Sequence, residues 1–331
     1  MRLTFGFDAA LEQYAPEQLL MCAVLAEKYG FDVVSASDHF HPWIHTNAHS
    51  GFAWIWLAAV GEKTSKVTFG TVATAPIFRY NPAIVAQAFA TLERLYPKRV
   101  FLTVGTGEAI NEVPLGFEWP SPRERVERLE EAIKIIKLLW SESFVTFKGK
   151  YYRINKANLY TKPRNKIPLY VAAGNPTTAR LAGKYGDGII TSAGSLREHG
   201  DKILKAFLQE AQLTRRDPET MVRGVLITTS YDEDINKAIK SARYWAATML
   251  RFVFKYQIAD PREIEEYAKL ISDEQLLSSK LITSKPEDYI EKVVEMSKKG
   301  FNWILFINSS PDHEKFFKVF GEKVIPYFRE H

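Results

Sequence analysis

The sequence predicts one (β/α)8 TIM barrel with inserted segments. Short apolar runs of strand length alternate with amphipathic stretches of helix length through nearly the whole chain. The 331 residues suit two ordinary domains or one large α/β barrel, and no low-complexity linker divides them. A doubly wound sheet is the alternative architecture, but no G-x-G-x-x-G follows the first strand, so a dinucleotide domain is not expected.

The elements follow in order. Residues 3–8 form the first strand, and Pro16 opens a helix over 16–28 that Gly30 ends. The run 31–37 is a second strand, continuous in apolar residues as a buried parallel strand should be. A helix at 52–62, a strand at 67–74, a helix at 82–95 and a strand at 99–105 continue the rhythm. The long charged helix 122–140 carries Glu124 and Arg128 at helical spacing. Residues 144–160 break the rhythm as a hairpin around Lys148-Gly149-Lys150. Strands at 168–173, 188–192, 222–230 and 303–308 complete a set of eight, with helices at 176–185, 201–212, 286–299 and 312–329. Residues 232–280 read as a polar-rich helical insertion, longer than a crossover needs.

Bulk properties exclude several classes. The single cysteine, Cys22, lies in an apolar run and reads as a core residue; it excludes an internal disulfide framework and multi-cysteine metal sites. No run approaches membrane-span length, and the amino terminus turns polar too soon for a signal peptide, so the expectation is a cytoplasmic protein with no membrane partner. The net charge of +5 comes from scattered Lys and Arg, which argues against nucleic acid and leaves a mild preference for anionic small molecules. Abundant apolar helices carry the expectation of a homodimer.

In a barrel the loops after the strands share one face. The run Ser37-Asp38-His39-Phe40-His41-Pro42-Trp43 places a carboxylate, two imidazoles and an indole in one such loop. The other strand ends bring Asp8 and Glu12; Phe78, Arg79 and Tyr80; Thr106-Gly107-Glu108 with Asn111; Ala173-Gly174; Ser192, Ser195 and Arg197; Trp245, Arg251 and Lys255; and Asn308-Ser309-Ser310. His39 and Glu108, from different strands, are the candidate acid/base pair, because a neutral imidazole can take a hydroxyl proton near pH 7. Small residues at Gly105-Thr106-Gly107 and Ala172-Ala173-Gly174 would let backbone approach a planar ligand or a phosphate. Trp54 and Trp56 read as helix packing, and His41, His45 and His49 as loop polar groups; no metal site is expected.

The residues at 37–43, Arg79-Tyr80-Asn81-Pro82-Ala83 with Gln87 to Thr91, and Thr106-Gly107-Glu108-Ala109 with Asn111-Glu112 resemble the deazaflavin-dependent branch of the luciferase-like superfamily. Within it the chain is most similar to the coenzyme F420-dependent glucose-6-phosphate dehydrogenases and the F420-dependent secondary alcohol dehydrogenases. The resemblance implies the same barrel, coenzyme F420 as cofactor, and oxidation of a CH–OH group. It implies contact of Asp38 with the deazaflavin ring, His39 as base at the substrate hydroxyl, Trp43 as substrate wall and Glu108 as second acid/base group. Thr106, Gly107, Asn111, Ala173 and Gly174 would line the cofactor, and Val72-Ala73 matches a non-proline cis peptide behind the ring. An FMN-dependent monooxygenase and a non-catalytic deazaflavin-binding protein are the further readings that the Asp38-His39 and Glu108 set argues against.

The sugar-phosphate relatives hold phosphate with two lysines and an arginine. One lysine matches Lys255, but the other cations fall at Ser195 and Ser279, leaving Ser192, Ser195, Lys255 and Ser279 as substrate candidates. Arg197 and Lys280 are neighbours that do not align. Charge-assisted contacts dominate phosphate capture, so the expectation leans to a neutral alcohol, with a sugar 6-phosphate as the alternative.

Overall fold

A computed structural model describes residues 2–329. Eight parallel strands close into a barrel: β1 (Thr4–Ala9), β2 (Val33–Ala36), β3 (Thr68–Thr74), β4 (Val100–Val104), β7 (Leu169–Ala172), β8 (Gly188–Ser192), β9 (Val222–Tyr231) and β11 (Trp303–Asn308). Each pairs with the next, β8 with β9, β9 with β11, and β11 with β1, so the ring has no free edge. The fold read from the sequence is the fold observed.

Helices fill the outside, and their starts are written locally. Proline occupies the first turn of Pro16–Lys28, Pro82–Leu95, Pro122–Ser141, Pro176–Tyr185 and Pro286–Lys298. Asn81 and Ser121 cap two of them through Ala83 N–H at 2.9 Å and Glu124 N–H at 3.3 Å, and Asn175 forms a reciprocal capping box. Inside the barrel Val33, Phe101, Tyr170, Ile190 and Leu305 pack together, with Trp303 edge-on to Phe101 and Tyr170. This plug closes the lower barrel and leaves the carboxyl ends of the strands as the open end.

Two inserted segments bear on that end. The antiparallel hairpin β5 (Val145–Lys148) and β6 (Arg153–Ala157) is clamped by Glu131, which accepts from the backbone of Lys150, Tyr151 and Tyr152 at 2.7–3.1 Å. Tyr152 then donates to the carbonyl of Ile77 at 2.7 Å, fixing the loop after β3. The segment between β9 and β11 is less regular than a helical insertion. It runs through Ile235–Ala242, a 3-10 stretch Arg243–Met249, and the short helices Arg251–Lys255, Pro261–Ala268 and Asp273–Ser279. A strand follows that the sequence reading did not anticipate: β10 (Leu281–Thr283) pairs with Thr229–Tyr231, on the flank of β9 opposite β11. Three residues are too few for an alternation pattern to be seen. Trp245, Leu250, Val253, Ile264 and Leu276 of this segment pack with Trp43, Ile110 and Ile307 in a second core above the strand ends.

Other departures are small. A four-residue helix, Ala109–Glu112, follows β4, a second helix, Ala193–His199, precedes Lys202–Leu213, and the closing helix contains a π-helical turn at Phe320–Val324. Among the described residues no helix is long and apolar enough to cross a membrane.

The barrel wall is tight where β3 meets β4. A methyl added at Gly70 would lie 2.1 Å from the Phe101 carbonyl oxygen and 2.7 Å from its ring. Gly70→Ala therefore lowers the unfolding free energy by about 1–3 kcal/mol, read as a lower urea midpoint at unchanged m-value.

Candidate active site

The polar residues gather at the carboxyl ends of β1 to β4. His39 follows β2, and its Nδ1 lies 3.1 Å from the carbonyl oxygen of His41. A carbonyl only accepts, so Nδ1 carries the hydrogen, and in the neutral form of the ring Nε2 is the nitrogen with the lone pair. That nitrogen faces Glu108 Oε2 at 3.5 Å. The two residues singled out as an acid/base pair are thus brought together, and Trp43 lies beside the imidazole with ring centroids 5.3 Å apart. Phe254 of the insertion backs Trp43 at 5.4 Å.

Glu108 keeps a third of its side-chain surface accessible. Lost hydration pushes its carboxyl above the ordinary glutamate range; His39 pulls it down and Glu12 adds to the rise. Arg125, stacked 4.5 Å over Trp119, also pulls it down. Glu12 itself is buried and accepts from the Ser37 hydroxyl.

A buried ionic network lies behind the pair. Arg79 donates from Nη2 to the Asp38 carbonyl oxygen at 2.7 Å and to Asp38 Oδ1 at 3.0 Å, and from Nη1 to Glu112 Oε1 at 2.6 Å. Its backbone N–H reaches Glu112 Oε2 at 3.0 Å. The side chains of Asp38, Arg79 and Glu112 are 2%, 7% and 0% exposed, so this is an interior network. Burial pushes the Glu112 carboxyl up while Arg79 pulls it down. Asp38 also accepts from Thr74 Oγ1 at 2.6 Å and from the Tyr80 hydroxyl at 3.1 Å. Both its oxygens therefore accept from protein donors, Oδ1 from two and Oδ2 from one. Asn111 is committed likewise: its Oδ1 accepts from the backbone of Phe40 at 2.8 Å and His41 at 3.4 Å.

The residues expected to line a planar cofactor fall into two groups. Val72-Ala73 is a cis peptide, and both residues are partly open to the barrel mouth. Gly105 lies between Ala73 and Ala172, since a methyl there would sit 3.6 and 3.5 Å from their Cβ atoms. Gly107 has φ +68°, with Thr106 and Gly107 partly open. This floor of small side chains fits a flat ring such as a deazaflavin, because branched residues there would fill the space. Ala173 departs from the expectation. Its methyl is buried in the helix-side core, and it is Ala172 and Gly174 that are open. Strand alternation decides this, a single-residue register that composition could not settle.

Three of the four substrate candidates, Ser192, Ser195 and Ser279, are hydrogen-bonded to other side chains. Ser192 Oγ lies 3.0 Å from Ser195 Oγ and accepts from the Ser195 N–H, capping a helix. Ser279 accepts from Arg197 Nη2 at 2.8 Å. Lys280 donates to Thr248 Oγ1 at 2.7 Å, and burial together with Arg197 pushes its ammonium down to about 7. Lys255 is exposed, with its ammonium over the neighbouring Tyr256 ring, and among the described residues it forms no ion pair.

Sequence reasoning missed two contributors. Trp54, read as helix packing, donates from Nε1 to Thr74 Oγ1 at 3.2 Å and lies against Tyr80, so it supports the Asp38 network. Glu112 carried no signal of its own beyond its place in a motif. His41 and His45 behave as loop groups: His41 Nδ1 lies 3.3 Å from the Ala259 carbonyl, and the backbone of His45 donates to Glu265 at 2.9 Å. Among the described residues no three His, Cys, Asp or Glu are grouped to hold a metal ion.

Residues 2–302 match the luciferase-like monooxygenase family, and the chain belongs to it. The F420-dependent glucose-6-phosphate dehydrogenase of Mycolicibacterium smegmatis is 40% identical over 331 residues, 99% of this chain and 98% of that protein. Its counterpart in Intrasporangium calvum is 42% identical over 331 residues, 99% of each. The solved structure of an F420-dependent secondary alcohol dehydrogenase in complex with an F420-acetone adduct superposes with a TM-score of 0.94 at 42% identity, covering 99% of this chain and 100% of that one. The coenzyme F420 dependent tetrahydromethanopterin reductase from Methanopyrus kandleri shares the fold, with a TM-score of 0.82 at 21% identity.

The raised Glu108 carboxyl has a consequence for stability. The folded state holds that proton more tightly than the unfolded chain, so stability is fully present in acid and is lost as pH rises through the raised value. Glu108→Gln, a neutral isostere, therefore raises Tm near about pH 7.5, and the gain vanishes near about pH 3, below the ordinary glutamate range. Melting curves of both proteins across pH check this.

Proposed function

We propose that the protein is a coenzyme F420-dependent dehydrogenase that oxidises the CH–OH group of a small alcohol. The observation that carries this reading is the His39 and Glu108 pair, 3.5 Å apart, at the barrel mouth whose floor is made of small residues. The similarity to F420-dependent dehydrogenases over 98–99% of their length supports it.

When bound, F420 supplies the hydride acceptor, carbon C5 of its deazaflavin ring. Val72, Ala73, Thr106, Gly107 and Gly174 would hold the ring, with Ala173 contributing backbone only. Asp38 and Asn111 would act from behind, by fixing Arg79, Tyr80 and the loop at Phe40. His39 Nε2 takes the substrate hydroxyl proton, and the Nδ1 contact with His41 keeps the ring in the tautomer that can do so. Glu108 stabilises the imidazolium that results and relays its proton. Trp43 walls the substrate and excludes water. The exposed apolar side chains of Met21, Ile55 and Ile84, on three consecutive outer helices, support a homodimer, and one buried cysteine suits a reducing cytoplasm.

A sugar 6-phosphate remains the second reading, favoured by one observation. Arg197 and Lys280 lie beside Ser279 and Thr248, and among the described residues Lys280 meets no carboxylate. Against it, Ser195 and Ser279 supply neutral hydrogen bonds where the resemblance implies cations, and Lys255 points to solvent beside Tyr256. Two lost charge-assisted contacts, at about 1.5–3 kcal/mol each, weaken phosphate capture at least about a hundredfold.

Anaerobic incubation with F420 and alcohol, following loss of the oxidised-deazaflavin absorbance, tests the reading; no bleaching with any secondary alcohol or sugar phosphate would remove it. His39→Ala lowers kcat by about 10²–10⁴-fold while the F420 dissociation constant changes little, checked at saturating cofactor and by fluorescence quenching. For the substrate, kcat/KM for isopropanol-like alcohols equals or exceeds that for glucose 6-phosphate. A much higher value for the sugar phosphate, abolished by Arg197→Ala or Lys280→Ala, selects the second reading instead.

A further inference from the structure

We infer that Arg79 is the positioning residue that sets the distance between His39 and Glu108. The inference rests on the dehydrogenase reading for its kinetic arm only.

The loop after β2 carries His39 and the turn after β4 carries Glu108, and β3 lies between these strands in the sheet. The two loops are therefore not sheet neighbours. Asn111, in the turn after β4, ties them once by accepting from the Phe40 N–H, and Arg79, from the loop after β3, ties them a second time. One edge of its guanidinium holds the carbonyl and the carboxylate of Asp38, and the other holds Glu112. His39 is flanked by two fixed points, because Asp38 is held by Arg79 and the Phe40 N–H is held by Asn111 at 2.8 Å. Glu108 precedes the single helical turn Ala109–Glu112, whose last residue is the one Arg79 grips. A shift of that turn or of the loop moves one partner of the pair against the other.

Arginine suits the task because its planar fork fixes angle as well as distance. A lysine would keep one positive charge but could not hold both carboxylates and a carbonyl in one plane. Stacking of the guanidinium on Tyr80, 4.7 Å from the ring centroid, and the bond of Tyr80 to Asp38 remove the remaining freedom. Arg79 lies behind the pair: its charge is felt by Glu108, but among the described residues it makes no hydrogen bond or ion pair with His39 or Glu108, so its positioning effect passes through the backbone of the two loops.

The test uses Arg79→Lys and Glu112→Gln in the full chain, without and with F420. Without cofactor, exchange of the Phe40 amide, followed by hydrogen–deuterium exchange with fragment analysis over 37–44, becomes on the order of tenfold faster in both variants if the network fixes the loop. With cofactor, kcat falls toward about 10²-fold, as for a displacement of roughly 1 Å, while the F420 dissociation constant stays within about threefold. Unchanged exchange at Phe40 overturns the inference. So does faster exchange with kcat within about twofold of wild type, which makes the network structural support and nothing more. Wild-type protein that never reduces F420, with exchange responding as described, fails the functional reading and leaves the loop-locking claim standing. Glu112→Gln keeps shape and one acceptor, so it carries the test if Arg79→Lys does not fold.

Discussion

Two carboxylates, Asp38 and Glu112, are buried within reach of each other, and the structure tolerates this because a guanidinium lies between them. Removing charges from water costs several kcal/mol per ion unless geometry and hydrogen bonds restore the loss. Here Arg79 satisfies both groups with charge-assisted bonds of 2.6–3.0 Å, and Thr74 and Tyr80 complete Asp38. The arrangement contributes less to net stability than its distances invite, since an apolar replacement of the set would avoid the desolvation altogether. What it contributes is a defined relation among the ends of three adjacent strands, and the candidate acid/base pair is built on that relation.

The pair itself occupies a less settled environment. His39 is anchored through one nitrogen, while Glu108 faces it across 3.5 Å, longer than a good hydrogen bond. Both groups are held with unsatisfied capacity toward the open end of the barrel, and Glu108 is held against its own hydration preference. A site arranged in this way is a local weak point in the fold, and substrate and cofactor are the groups that could complete it. The contrast with Asp38 is instructive: a carboxylate likewise at a strand end, but buried and bonded to Arg79, Thr74 and Tyr80, is committed to holding geometry.

The insertion between β9 and β11 gives the mouth its third wall. Trp43 belongs both to the loop that carries His39 and to the apolar cluster of Trp245, Leu250 and Val253. Tyr244 and Trp245 reach down to the carbonyl of Glu12 and to Gln13 Oε1, and Glu265 accepts from His45 and Thr46. These contacts tie an irregular segment to the barrel without regular secondary structure, so its course follows side-chain pairing and not periodicity.

The sequence by itself determined the barrel, its strand and helix order, the hairpin, and the loops that bring chemistry to one face. Periodicity, proline starts and polar caps are local signals, and they were legible because each acts within a few residues. It also marked His39 and Glu108, since an imidazole and a carboxylate at strand ends need no partner in sequence to be noticed. Tertiary structure alone decided the rest. Whether Ala173 or Ala172 faces the mouth depends on a one-residue register set by pairing with β4 and β8. The isolated strand β10 exists because Thr229–Tyr231 offers it an edge, and Trp54 joins the polar network because Thr74 happens to lie within its reach. Glu112 and Arg79 are 33 positions apart and meet only when β3 and β4 lie side by side. Long-range contacts of this kind leave no pattern in a single chain, because the physical partner of each residue is supplied by the closure of the barrel and not by its neighbours in sequence.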